Sequence, residues 1–140
     1  MARLYSVRVT RLAQAAVVTA AALHVASLAY GSAGPLLSYF MIGLLAFSLV
    51  PYLVCLLLIS WAKKVGAGLG GLVGVAALDL AVYWSVFVSP KGSTAALGLL
   101  FAPVWKLVAA LPIGALLGLA LEAAVIRPWL DGLSARANRD

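Results

Sequence analysis

Charge is what this chain has least of. Residues 12–62 contain no Asp, Glu, Lys or Arg, and at 1.5 Å per residue that stretch makes far more apolar helix than one bilayer crossing can use. Only 10% of the 140 residues are charged while 65% are hydrophobic, which excludes an ordinary soluble domain, where about a quarter of residues are charged. Cysteine is almost as scarce. Cys55 stands alone inside an apolar run, so one copy of the chain can build no disulfide, thiol redox pair or cysteine metal cluster, and the plain account of Cys55 is a buried structural thiol. His24 is the single histidine. A haem or metal site would want a second strong donor, so no metal and no cofactor is expected.

Other chemistry is missing too. The glycine-rich run 66–74 is followed by no Lys-Ser or Lys-Thr pair, so it is not a phosphate-cradling loop. Ser93 and Thr94 have no His or Asp beside them, and Asp79 and Glu122 lie several helical turns apart in depth. Catalysis needs such groups to converge, and the chain is not expected to be an enzyme. The net charge of +6 comes from basic residues spread between apolar spans without interleaved aromatics, so it argues for topology signals and lipid contacts rather than nucleic acid.

What is present is a series of long apolar segments separated by breakers. The expected fold class is all-α: a polytopic membrane protein, residues 1–140 forming a single domain with four transmembrane helices in a bundle. Helix 1 is expected over 12–30, ended by Gly31, Ser32, Ala33, Gly34 and Pro35. Arg3, Arg8 and Arg11 ahead of an Ala-rich stretch, with Ser27 and Ala29 at cleavage spacing, have the outline of a secretory signal peptide. Gln14 and His24 fit poorly in such a segment, and it is read as a retained first helix. Helix 2 is expected over 36–60 with Pro51 kinking it, and Trp61, Lys63 and Lys64 mark its exit into headgroups.

Helix 3 is expected over 69–89, with Tyr83, Trp84 and Phe87 as an aromatic belt. The apolar stretch 94–126 is too long for one crossing, and two arrangements satisfy it. In the preferred one, helix 4 covers 103–126 with Pro103 in its first turn and Trp105 and Lys106 at the interface, preceded by a short interfacial or re-entrant helix over 94–101. In the other, helix 4 begins near Ala95 and is kinked at Pro112. A polar tail, 127–140, follows. Arg3, Arg8, Arg11, Lys63, Lys64, Arg127, Arg136 and Arg139 fall on one side against Lys91, with Lys106 as a second at most. That asymmetry places both termini in the cytoplasm and the protein in the inner cell membrane.

Few residues stand out as sites. Asp79 falls in the middle of helix 3, where an aspartate costs about 2.5–3.5 kcal/mol to insert. It is either a proton or cation site, or a structural group that is protonated, bonded to Tyr83 one turn away or paired with Lys106. His24, with Ser27 on the same face, reads as an interhelical hydrogen-bonding contact more readily than as a ligand. Glu122, one turn inside Arg127, is expected to snorkel or to meet Lys63, Lys64 or Arg11. Gly66, Gly70 and Gly74 form one ridge and Gly114 and Gly118 another, both suited to close helix packing. Asp79 lies 140° around its helix from Gly74 at 100° per residue, so helix 3 should be contacted on two sides, both within the chain or one by a second copy.

These features support three functional expectations. The first is a non-enzymatic inner-membrane protein acting through helix–helix contacts, as an accessory subunit or a homo-oligomer, with the lipid bilayer and a membrane-protein partner as its surroundings. The second is a small transporter or channel in which Asp79, with His24 and Lys106, lines a path between copies. The third and weakest is an enzyme acting on lipids at the interface through Glu122 and nearby arginines.

Overall fold

The computed structural model describes residues 2–31, 39–88, 101–126 and 128. Among them every regular element is helical. Helix α1 runs Ala2–Gly31, α2 runs Tyr39–Ser60, α3 covers Val65–Val88 and α4 covers Phe101–Ile126. All four contain stretches long and apolar enough to cross a membrane. The short helix expected over 94–101 falls outside the described residues except for Phe101, and so do most of the tail and the loop of Ser32 to Pro35.

Two helix starts differ from the sequence expectation. Helix α1 includes the segment carrying Arg3, Arg8 and Arg11, because nothing before residue 12 breaks a helix and charge alone does not. Helix α3 begins at Val65, so the glycine run lies inside the helix and not ahead of it. Helix propensity disfavours that run by up to about 1 kcal/mol per glycine, and close packing on both sides offsets the loss.

The turn between α2 and α3 needs only residues 61–64. Lys63 adopts φ 54° there, a left-handed conformation, and the amides of Trp61 and Lys64 donate to the carbonyls of Leu57 (2.9 Å) and Leu58 (2.9 Å) at the end of α2. So short a link holds α2 and α3 antiparallel. Helix α3 is the centre of the molecule: it packs most extensively on α4, then on α2, and α1 leans across α2 and α3.

Burial follows stripes. In α2 the buried positions include Ser48, Tyr52, Cys55 and Ile59, the four- and three-residue spacing of an inward helix face. Leu72 and Val75 of α3, Ala13 and Val17 of α1 and Leu111 of α4 complete this core. The large apolar side chains mostly point outward: Leu12 and Val108 are each 70% exposed and Val73 is 68% exposed. The inward faces combine these few aliphatic side chains with small residues and polar ones.

Small residues let backbones touch. A Cβ placed on Gly70 would stand 2.7 Å from the Cα of Gly118, and one on Gly66 would stand 2.8 Å from the Gly118 carbonyl oxygen. Gly74 faces Ala110 and Gly114 in the same way. The two glycine ridges predicted from spacing therefore close on each other within one chain. A second small face, Gly68 and Gly71, which the four-residue pattern did not single out, meets Ile59 and Cys55 of α2.

Candidate functional site

The site begins with Pro112. Proline has no N–H and its ring collides with the carbonyl four residues back. Immediately before it α4 widens into a π-helical turn, Lys106–Ala110, closed by the Leu111 amide donating to the Lys106 carbonyl. Lys106 and Leu111 are five residues apart, which on a regular α-helix would separate them by about 140°. Across the widened turn both are buried. Lys106 is thereby aimed into the bundle and left with 1% of its side chain exposed.

There it meets Asp79. The two form a direct ion pair through Lys106 Nζ and Asp79 Oδ1. The other carboxylate oxygen, Oδ2, accepts a hydrogen bond from the Tyr52 hydroxyl and lies 3.3 Å from His24 Nδ1. His24 Nε2 is 3.0 Å from the Ser48 hydroxyl oxygen, and Ser48 itself donates to the carbonyl of Leu45 at 2.8 Å. Aromatic contacts brace the group: the His24 and Tyr52 rings are 5.6 Å apart, and Lys106 Nζ stands 5.9 Å from the Tyr52 ring centre. Each helix thus supplies at least one polar side chain to one place: His24 from α1, Ser48 and Tyr52 from α2, Asp79 from α3 and Lys106 from α4.

The two charges are not equally enclosed. Lys106 is sealed behind the carboxylate, whereas Asp79 keeps 19% of its side chain exposed. Asp79, His24, Tyr52 and Tyr83 line a cleft of about 330 Å³ between α1 and α3, with Leu23 and Leu80 among its apolar walls. The cleft therefore meets the carboxylate, the imidazole and two phenols, while the ammonium lies on the far side.

Three alternatives left open by the sequence are decided here. Lys106 is not at the interface, as the preferred start of helix 4 had it, but buried in the pairing with Asp79 that the other reading allowed, aimed there by the π turn. Tyr83, one turn along α3, is not the partner of Asp79; it lines the cleft and stacks on Phe87 at 5.0 Å, because a tyrosine four residues on points along the helix surface while Tyr52 comes from the facing helix. The acid and the glycine ridge, though far apart around α3, do not call for a second copy: α4 meets both, through its own glycines and through the long side chain of Lys106. Glu122 accepts from the Gly66 amide at 2.9 Å, placing a carboxylate at the N-terminus of α3, where free amides and the helix dipole favour negative charge.

Ser48 and Tyr52 were missed by sequence reading. Their signal was present, as two hydroxyl residues four apart on the stripe that continues to Cys55 and Ile59. A second polar clamp, Gln14 Nε2 donating to Ser60 Oγ at 3.0 Å, ties α1 to α2 toward the other end. Compared with known proteins, the chain matches no family model, no curated protein and no solved structure.

Proposed function

We propose that this protein is a four-span integral membrane protein of the transporter or channel class, and that its working site is the cluster around Asp79 with the cleft beside it. Membrane residence is supported by the inverted surface, since an outward belt of Leu, Val, Ile and Phe side chains is stable against lipid and not against water. Orientation follows from the basic residues. With Lys106 withdrawn into the site, eight arginines and lysines on one side face Lys91 alone on the other, which supports a topology with both termini in the cytoplasm.

The observation that carries the reading is the open side of the ion pair. A pair that only locks helices needs to be sealed, and one partner helix suffices for it. Here the other three helices all reach the carboxylate of α3, and one of its edges fronts an open, largely apolar cleft. Intramembrane ionisable groups that face a cavity mark ion and proton paths. The helix-contact reading has less support, because the glycine ridges that recommended it are used within the chain. The lipid-enzyme reading needs a free carboxylate, and Glu122 is engaged at the start of α3.

Reconstituted vesicles carrying an internal pH dye provide the test. The wild-type chain should speed the decay of an imposed proton gradient, and Ala76→Phe, which fills the cleft while leaving both charges in place, should slow it. Asp79→Asn combined with Lys106→Met should abolish it. Wild-type vesicles no leakier than empty ones, or flux indifferent to both variants, would remove the proposal.

A further inference from the structure

The species that the site binds can be named from its hydrogen-bond arithmetic. His24 Nδ1 faces Asp79 Oδ2, an oxygen that only accepts while the carboxylate is ionised, so Nδ1 carries a hydrogen. His24 Nε2 faces Ser48 Oγ, and that hydroxyl also stands 2.8 Å from the Leu45 carbonyl. A serine hydroxyl has one hydrogen and two lone pairs. Pointed at Nε2, the hydrogen serves a neutral imidazole. Turned to Leu45, it leaves a lone pair for an Nε2–H and serves an imidazolium.

We infer that His24 is a proton-binding site, with Ser48 as the positioning residue whose hydroxyl rotates between Nε2 and the Leu45 carbonyl so that both charge states are satisfied without any side chain moving. Uptake places one added hydrogen on Nε2, and in both charge states the serine keeps its own. The groups facing the imidazole among the described residues are Ser48 and Tyr52 from α2, and Asp79 from α3 with Lys106 of α4 behind it. Tyr83 stands across the cleft, and Ser27 is occupied in donating to the His24 carbonyl at 2.8 Å. The cluster holds one negative and one positive charge before uptake and gains a single positive charge on uptake. This inference rests on the transport reading only for the use made of the proton.

Because the chain has one histidine, ¹⁵N-histidine labelling reports on His24 alone. In lipid nanodiscs the full-length chain should show a neutral ring with its hydrogen on Nδ1 at high pH and a doubly protonated ring at low pH. Ser48→Ala should lower the ratio of imidazolium to neutral ring about five- to tenfold at a given pH, since a charge-assisted bond is lost from the cation and a weaker one from the neutral ring. Ser48→Thr should restore it. A neutral ring protonated on Nε2, a single protonation state across the whole range in which the chain stays folded, or identical spectra for Ser48→Ala and wild type would overturn the inference. The first two are read on the wild-type chain and do not depend on the variants folding. Titration as described in a chain that moves no protons keeps this inference and removes the transport reading; proton flux with an unchanging His24 does the reverse.

Discussion

Lys106 on α4 and Asp79 on α3 are joined directly, with the lysine almost wholly enclosed and the aspartate open along one edge. The asymmetry has an energetic meaning. Each charge would be costly to bury alone, and the attraction between them in a medium of low polarity offsets much of that cost only while both are present.

Removing one member of the pair should therefore be worse than removing both. Asp79→Asn or Lys106→Met is expected to destabilise the fold by about 3–5 kcal/mol, because each leaves the other charge buried without its partner. The double variant should lose much less than the sum. Equilibrium unfolding in bilayer nanodiscs checks this, and strict additivity would contradict it.

The hydroxyl of Tyr52 donates to an ionised carboxylate, and that of Tyr83 does not. Tyr52→Phe should cost about 1.5–3 kcal/mol, the range for a hydrogen bond to a charged group. Tyr83→Phe should stay within about 0.5 kcal/mol of wild type. The same unfolding measurement separates them, and the opposite order would restore the tyrosine one turn along α3 as the partner.

Glycines on the α3–α4 contact should behave differently from those elsewhere. Gly70→Ala forces a methyl group onto the backbone of Gly114 and Gly118, and overpacking of that kind costs about 1–3 kcal/mol. Gly43, with nothing within 4 Å of an added Cβ, should accept alanine with a change of no more than about 0.5 kcal/mol. Because the ridges meet inside one chain, Gly70→Ala should alter stability and leave particle mass unchanged in multi-angle light scattering. A variant that changes mass and not stability would move the contact between copies.

The residues most visible in the sequence were those whose type is rare in their surroundings. Asp79, Lys106 and His24 each interrupt an apolar helix, and burying such groups demands a partner, so their relevance could be read without coordinates. Tyr52 and Ser48 carry no charge and are tolerated almost anywhere on a helix. Only their common stripe with Cys55 and Ile59 hinted that they face inward. Lys106 was harder still, because a regular helix starting at Pro103 leaves it near an end, and the π turn that aims it inward arises from local competition between Pro112 and the backbone bonds before it.

Glycine spacing showed that α3 and α4 would have close-packing faces, since only residues without side chains leave room for backbone contact. It could not show that the two faces choose each other, because any matching ridge, in this chain or another, satisfies the same condition. Four helices and their apolar character were determined by composition and breakers, which act over a few residues, while the starts of α1 and α3 were not. The partner of each polar group was decided by tertiary structure. A buried charge specifies that it must be met but not from which helix, and that choice depends on how the four helices are turned about their axes when they come together.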